Sequence, residues 1–282
     1  MKSVLYCIVS VTLYAQPVPP LDALLRKVAD AAARFPVTAV HYSARETLQQ
    51  KAPAPIKTKH GIQVGGSPAQ QVHLDQREIV SWYGLGAPPS APQALTEYRK
   101  VLSVDGKRMA GASAEEFERE LRAAGSRDKE KLRQDFEKQG LHGTATDFGQ
   151  LLLLFTKTKQ SEYAFSLGAS ERIGADQAQV IHFEQRTGEA ALKIAEGRRR
   201  IKEPLQGELW IRESDGAPLR ITLTALRRQG DHEVRDEARV EYDSLASGVI
   251  LPAAVVHRRF VDDELAGEDL YRYSDWHRAD KP

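Results

Sequence analysis

Apolar residues recur at helical spacing near the start of the chain and at strand spacing over most of the remainder. The helical pattern is i, i+3, i+4, i+7, and it is carried by Leu21, Leu24, Leu25, Val28, Ala32 and Phe35. It predicts an amphipathic helix that ends at Pro36. From Val37 onward the period changes to two, which is typical of strands with one solvent-exposed face.

Three strands are predicted in the first part of the chain, at 37–48, 71–83 and 95–104. Residues 51–69 are rich in Pro, Gly and Lys and predict a loop, and residues 84–92 predict a turn. Asp-Gly at 105–106 follows the third strand and favours a tight hairpin there.

A helical insert is predicted at 113–155. Ser113 and Glu116 form a capping box at its first helix. Residues 126–139 are highly charged and predict a solvated helix. The last helix of the insert is rich in Leu and Phe, and it is apolar enough to pack against a sheet.

The two-residue period dominates from Tyr163 to the end, with turn signals between the apolar alternations. This pattern predicts an antiparallel meander with one apolar and one polar face. Because few helices are available to cover the apolar face, the sheet should curl around them. The predicted fold class is α+β: a strongly curved antiparallel β-sheet, or half-barrel, covered by an N-terminal helix and mid-chain helices.

Residues 1–15 predict a secretory signal peptide, with a short basic start, an apolar run and a small residue at Ala15. The run is shorter than the ~20 residues that span a bilayer. A buried N-terminal strand or helix is the alternative. The sequence therefore predicts an exported protein, periplasmic or extracellular, with one domain at 16–282 and no transmembrane span. Cleavage would also remove Cys7.

Charge and cysteine content narrow the classes of function. Lys+Arg number 40 and Asp+Glu 39, a formal net charge of +1, which argues against a nucleic-acid-binding protein. A single cysteine excludes a disulfide framework and a zinc site built from cysteines. The eight histidines show no metal-site spacing on one element, so neither a metal nor a cofactor is expected.

No catalytic motif is found, and the chain is expected not to be an enzyme, with no catalytic residues assigned. One alternative stays open, a hydrolase built from distant side chains such as His73, Asp75, His182 and Glu184.

Two charged segments are interpreted as solvated. The basic run at 198–202 is interpreted as a loop, with contact to anionic lipid headgroups as the alternative. The acidic run at 262–264 is interpreted as a hairpin tip, with cation binding as the alternative.

Five aromatic side chains are candidates for lining a ligand cavity: Trp82, Phe155, Phe165, Phe183 and Trp210. The alternative is that they are ordinary core residues. Trp210 differs in parity from its apolar neighbours in the same strand, and it should therefore face away from their row.

One hairpin resembles a known family. Residues 207–224 are similar to a hairpin of the periplasmic lipoprotein-carrier superfamily, the LolA, LolB and RseB kind of fold. The similarity is carried by Trp210-Ile211, Asp215-Gly216 and Pro218-Leu219-Arg220, and further on by Tyr242-Asp243 and Ile250-Leu251-Pro252.

The resemblance implies an unclosed, curved sheet whose concave apolar face receives acyl chains. The leading hypothesis is thus an exported, non-enzymatic protein that binds a lipid or a lipidated segment on that face. The alternative is an envelope protein–protein interaction or structural module with a filled core, whose partner docks on the charged residues 113–140. The chain departs from the family pattern in that segment and in the loop at 51–69.

Overall fold

The computed structural model describes residues 20–53, 56–58, 61–63, 74–87, 95–109, 113–123, 148–187, 192–196, 199–245 and 247–279. The predicted signal peptide, the predicted charged helix at 126–139 and His73 lie outside these residues.

The described residues form two α-helices, two 3-10 segments and fifteen strands. The helices are α1 (Leu21–Ala39) and α2 (Ala114–Ala123), and the 3-10 segments are Phe148–Phe155 and Gln160–Glu162. The strands are β1 (Tyr42–Pro53), β2 (Ile56–Thr58), β3 (Gly61–Gln63), β4 (Leu74–Gly86), β5 (Thr96–Val104), β6 (Lys107–Arg108), β7 (Tyr163–Ile173), β8 (Asp176–Gln185), β9 (Leu192–Glu196), β10 (Arg199–Glu203), β11 (Gln206–Arg212), β12 (Pro218–Gln229), β13 (His232–Ser244), β14 (Ile250–Val261) and β15 (Glu264–Arg278).

Eleven strands form one antiparallel sheet in the order β6-β5-β4-β1-β15-β14-β13-β12-β11-β8-β7. Most neighbours in the sheet are also neighbours in sequence, as a meander requires. The main exception is β1, which lies between β4 and the C-terminal strand β15. Two separate hairpins, β2–β3 and β9–β10, interrupt the meander. The end strands β6 and β7 do not pair with each other, so the described sheet is open.

The contacts of the 3-10 segment Phe148–Phe155 show that the sheet is strongly curved. Eight residues of 3-10 helix span about 16 Å. At one end Gly149 lies against Glu97 of β5, and at the other Phe155 packs on Phe183 of β8. These two strands are eight positions apart in the sheet, about 38 Å if the sheet were flat. The predicted α+β half-barrel is thus the observed architecture.

The two faces of the sheet differ in what covers them. We call the face that carries α1 and Phe148–Phe155 the inner face, and the opposite one the outer face. Apolar side chains from most strands of the sheet pack with α1 and Phe148–Phe155 in one buried inner cluster. Leu24, Phe155 and Leu209 are fully buried in it. The outer face carries two smaller clusters, one with Tyr98 beneath α2 and one around Trp210.

Several predicted local structures are present. Asp105 and Gly106 both have positive φ, as a two-residue hairpin turn between β5 and β6 requires. The Ser113 hydroxyl accepts the Glu116 backbone N–H at 3.1 Å and caps α2. The acidic run at 262–264 forms the tip between β14 and β15, where Asp262 contacts His232.

Helix α1 does not end at Pro36, as the sequence predicted, but continues to Ala39. Proline has no backbone N–H, so the helix passes Pro36 without the i→i−4 hydrogen bond that would reach the Ala32 carbonyl. The Thr38 hydroxyl also donates to the carbonyls of Arg34 and Phe35 and satisfies acceptors at this end. The first strand consequently begins at Tyr42 and extends to Pro53, so it enters the predicted loop at 51–69.

Two further expectations are corrected. Phe148–Phe155 is a 3-10 segment with a kink at Gln150, and not an α-helix. Regular period-two alternation would place Leu219 on the same face as Ile221, but Leu219 joins the outer cluster of Trp210. A register shift between β11 and β12 at this point places an extra residue in β12, and such a bulge changes the parity of the side chains beyond it.

Candidate functional site

The segment Phe148–Phe155, FGQLLLLF, occupies the centre of the inner face, and we call it the inner segment. Among the described residues it pairs with no strand, and side chains hold it in place. The Tyr242 hydroxyl accepts the Leu152 N–H at 3.2 Å and donates to the Gly149 carbonyl at 3.3 Å. Beyond its end, the Gln160 amide donates to the carbonyls of Leu25 and Phe155, which joins the segment to α1.

Aromatic rings form the apolar end of the site, where the inner segment meets β7 and β8. Phe155 lies 4.9 Å from Phe183, 6.0 Å from Tyr163 and 6.3 Å from Phe165, measured between ring centroids. Phe155 is fully buried, whereas Phe165 is only partly buried and lies toward the free edge of the sheet. Burial, and then the charge of Glu162, raise the pKa of Tyr163 to about 12.

The structure divides the five aromatic candidates between the two faces. Phe155, Phe165 and Phe183 belong to the inner cluster. Trp82 packs in the outer cluster beneath α2, and its ring lies 6.4 Å from that of His277. Trp210 also faces outward, as its parity predicted, and its indole N–H donates to Glu171 at 2.9 Å. The five residues therefore do not line one cavity.

A buried ionic cluster forms the polar end of the site, at β1, β4 and β5. The Arg99 guanidinium pairs with Glu46 and with Glu97, at 2.8 Å each. It also lies over the rings of Tyr83 and Tyr271, at 5.1 and 5.5 Å from their centroids. Burial, and then negative charge that includes Glu97, raise the pKa of Tyr83 well above its usual value.

Gly149 brings the inner segment directly onto this ionic cluster. An ideal Cβ on Gly149 would lie 2.8 Å from the Tyr83 hydroxyl and 2.9 Å from Glu97 Oε1, so only glycine fits without displacement. Two buried oxygens in this region, the hydroxyls of Ser81 and Tyr83, have no hydrogen-bond partner among the described residues. Such groups are costly when they are left unsatisfied.

A second buried charge cluster lies on the inner face of β12–β15. His257 has Nε2 at 3.0 Å from Asp236 and Nδ1 at 3.3 Å from Asp269. Asp236 also accepts from Arg259 at 2.9 Å and from Arg227 at 2.7 Å.

The hydrogen bonds of this second cluster shift the pKa values of Asp236 and His257 in the directions that favour their ionised forms. Burial opposes ionisation at each group. Hydrogen bonds from His257 and Arg259, with their charges, nevertheless lower the pKa of Asp236 far below its usual range. Hydrogen bonds to Asp236 and Asp269 likewise raise the pKa of His257. The cluster touches the inner segment, because the rings of His257 and Phe148 lie 4.8 Å apart.

Sequence reasoning missed both charge clusters, although a signal was present. Glu46 lies between Ala44 and Leu48 in β1, and Asp236 shares parity with Ala238 in β13, so each stands on an inward-facing position. A charged residue at such a position is unusual unless it is paired. The partners come from other strands, and the sequence does not reveal which strands are adjacent.

Phe165 and Phe183 also border an open cleft of about 580 Å³ between β7, β8, β11 and β12. Most of its lining residues are polar and have the outer-face parity, and they include His182, Glu184 and Glu208. His182 pairs across the strands with Glu208 at 3.0 Å. The lining of this cleft is therefore mostly polar, in contrast to that of the apolar inner site.

The residues of the hydrolase alternative are not gathered in the described structure. Asp75 lies on β4, and six strands separate it in the sheet from His182 and Glu184 on β8. Within the described ranges, no group of three or more His, Cys, Asp or Glu residues is arranged to hold a metal ion. No helix in the described part of the chain is long and apolar enough to cross a membrane.

No protein-family model and no curated protein matches the sequence. A structure search matches a LolA superfamily protein from Nitrosomonas europaea, with 11% identity, a TM-score of 0.33 and coverage of 92% of this chain and 94% of that one. It also matches a DUF1329 family protein from Desulfovibrio piger, with 9% identity, a TM-score of 0.36 and coverage of 90% and 92%.

A third match is a domain named as an outer membrane lipoprotein-sorting protein, from Vibrio parahaemolyticus, with 10% identity, a TM-score of 0.32 and coverage of 90% and 91%. The first of these solved structures is named for the superfamily that the 207–224 hairpin resembles. At these identities and TM-scores, the matches add no argument about ligand or mechanism.

Proposed function

We propose that this protein is an exported, non-enzymatic binding protein that takes an apolar ligand, a lipid or a lipidated segment, on the inner face of its curved sheet. The inner segment occupies the place of that ligand when the site is empty. The observation that carries the proposal is the position of an apolar FGQLLLLF segment, in kinked 3-10 geometry, across a concave apolar face.

The way in which the inner segment is held supports an exchange with ligand. Within the described part of the chain, its backbone pairs with no strand, and the Tyr242 side chain forms its hydrogen bonds to the sheet. A ligand chain could replace its Leu and Phe side chains with little change in the apolar contacts of the sheet. Burial of a Leu or Phe side chain is worth roughly 1.5–3 kcal/mol, so the replacement is balanced when the ligand buries a similar area.

A second function is favoured by the same filled face, namely an envelope protein–protein interaction or structural module whose core stays closed. Phe155 and Leu152 are fully buried, as in an ordinary core. In that case the inner segment never leaves the sheet, and a partner uses the outer surface, which includes α2. Ligand binding separates the two functions.

Native mass spectrometry of the gently purified, exported protein, followed by lipid extraction, tests the proposal. We expect a chain that begins near Gln16, together with a co-purifying lipid. A chain that retains Met1 would contradict export. A lipid-free protein that also fails to bind an acyl-chain probe would favour the closed module.

Two substitutions on neighbouring positions of β7 locate the binding face. Phe165→Glu places a charge in the inner aromatic cluster and should weaken binding of an acyl-chain probe by about tenfold or more. Ser166→Glu changes the outer face and should leave binding unchanged. Equal effects of the two substitutions would place the ligand elsewhere.

A further inference from the structure

The aromatic end of the inner site contains a buried polar atom, the hydroxyl oxygen of Tyr163. We propose, on the basis of the proposed function, that the ligand is held at this end through a neutral acyl carbonyl, the group of an ester or an amide, which accepts a hydrogen bond from Tyr163. The acyl chain would follow the course of the inner segment toward Phe148, and the rest of the head would remain in water beside the edge of the sheet.

The first support is the state of the Tyr163 hydroxyl. Tyr163 is only 7% exposed, and among the described residues its hydroxyl has no hydrogen-bond partner. A buried donor that is left unsatisfied costs free energy, and in native proteins such groups are rare. A ligand that brings an acceptor to this hydroxyl would recover that cost on binding.

The surroundings of this hydroxyl are aromatic. The Tyr163 ring lies 6.0 Å from Phe155, 6.1 Å from Phe165 and 5.9 Å from Phe183, measured between ring centroids. Phe155 belongs to the inner segment, whereas the other three residues belong to β7 and β8. When a ligand displaces the segment, Phe155 leaves, and Tyr163 then borders the space that the Phe155 ring filled.

The second support is a peptide carbonyl that is already held at this end. The Gln160 amide donates to the Phe155 carbonyl at 3.1 Å and to the Leu25 carbonyl at 2.8 Å. Displacement of the inner segment removes the first of these acceptors. An ester or amide carbonyl is an acceptor of the same kind, so the ligand can satisfy Gln160 as well as Tyr163.

The charge near the hydroxyl favours a neutral head over a carboxylate. Burial, and then the negative charge of Glu162, raise the pKa of Tyr163 to about 12. The hydroxyl therefore keeps its proton at neutral pH and can donate it to an acceptor. The same burial and the same negative charge disfavour a carboxylate at this place, whereas they leave a neutral carbonyl unaffected.

The position of the aromatic end in the sheet gives the ligand its direction. Tyr163 and Phe165 lie on β7, the end strand of the described sheet, and Phe165 is only partly buried. The residues 157–159, which connect the inner segment to this edge, are exposed. At the opposite end of the segment, Phe148 packs on the buried His257. A polar head thus meets water at the Tyr163 end, while the chain lies in the interior.

Matched amphiphiles with a twelve-carbon chain and a glycerol-like head test the carbonyl. Monododecanoylglycerol has an ester carbonyl, the dodecanoyl amide of aminopropanediol has an amide carbonyl, and dodecylglycerol ether has neither. Affinities of the purified chain are measured by isothermal titration calorimetry below the concentrations at which micelles form. We expect the ester and the amide to bind about fivefold more tightly than the ether, and dodecanoate to bind less tightly than the ester. The tighter of the ester and the amide distinguishes a lipid ester from an acylated peptide as the source of the carbonyl.

Tyr163→Phe removes the hydroxyl and keeps the ring. It should reduce the advantage of the ester over the ether to less than about twofold, and it should leave the affinity for the ether unchanged. Its Tm without ligand should be at least as high as that of the wild type, because a buried hydroxyl without a partner is removed. Tyr83→Phe is the matched control: it removes a buried hydroxyl at the other end of the segment that also has no partner among the described residues, and it should keep the advantage of the ester.

The outcomes separate this inference from the proposed function. Equal affinities for the ester, the amide and the ether, or dodecanoate as the tightest ligand, overturn the neutral carbonyl and leave apolar binding intact. The inference also fails if Tyr163→Phe keeps the full preference, if Tyr83→Phe loses it instead, or if Tyr163→Phe lowers the Tm, as the loss of a structural hydrogen bond would. Failure of all four amphiphiles to bind the folded protein overturns the proposed function itself.

Discussion

At the scale of single residues, the inner face is unusual because it buries charges among apolar side chains. His257 is the clearest case, since its ring lies between two carboxylates and against Phe148 of the inner segment. Burying a charged group is expensive unless it is paired, and removing one partner of such a set leaves the others uncompensated. The protonation of His257 is therefore coupled to the stability of the fold.

We expect this coupling to make the stability of the protein fall as pH rises from neutral to alkaline values. The pKa of His257 is raised in the folded state, because its bonds to Asp236 and Asp269 outweigh its burial. The folded state thus binds the proton more tightly, and the stabilisation is complete below the ordinary pKa of about 6.5 and is lost as pH rises through the raised value. Thermal unfolding measured at several pH values from about 6 to 9 shows this as a falling Tm.

The variant His257→Gln removes the titrating group and keeps a side chain that can form hydrogen bonds. Its Tm should be lower than that of the wild type at the acidic end of the series, and it should vary less with pH over the same window. A variant whose Tm follows the wild-type slope would show that the pH dependence arises elsewhere.

At the scale of elements, we expect a substitution that crowds the inner segment to weaken its packing on the sheet. Gly149→Ala places a methyl group 2.8 Å from the Tyr83 hydroxyl and 3.3 Å from Pro252. Overpacking of this kind costs typically 1–3 kcal/mol. We expect a lower Tm and, because a ligand then displaces the segment more easily, a severalfold gain in affinity for an acyl-chain probe.

Gly267→Ala is the matched control for this substitution. Among the described residues, its Cβ would meet only the Lys51 carbonyl, at an ordinary contact distance of 3.5 Å. Stability and affinity should both stay close to the wild-type values. If Gly149→Ala lowers the Tm and does not alter probe binding, the inner segment is plain core and does not compete with ligand.

The elements also show which parts of the fold can be predicted from the sequence and which cannot. Period-two alternation placed most strands of the large sheet, and the capping residue Ser113 placed the start of α2, because both signals are local. The loop predictions at 51–69 and 198–202 were wrong in part, since the β2–β3 hairpin lies in the first and β10 in the second. The pairing of β1 with β15 joins residues at opposite ends of the chain, for example Gln50 with Asp269. No local pattern encodes such a pairing, and so the buried charge clusters that depend on it were not predicted.

At the scale of the whole molecule, the two ends of the described chain meet in the interior of the sheet. Strand β15 is fifth of eleven in the order, and it joins β1 on one side to β14 on the other. It also supplies Tyr271 and Tyr273 to the inner cluster. Without β15, the strands β6-β5-β4-β1 are separated from the remaining six, and neither part can close around the helices.

Removal of residues 264–282 should therefore abolish cooperative folding of the entire chain, and not only of its C-terminal part. A domain is stable by about 5–15 kcal/mol, and the loss of a central strand with its buried tyrosines exceeds what this margin tolerates. Truncation after Ala279 is the control, since it removes nothing from the sheet and should leave the Tm unchanged. Urea unfolding monitored by circular dichroism distinguishes the variants.

A 264–282 deletion that keeps a cooperative transition with part of the strand signal would show that the chain contains two independent units. That result would overturn the prediction of a single domain at 16–282.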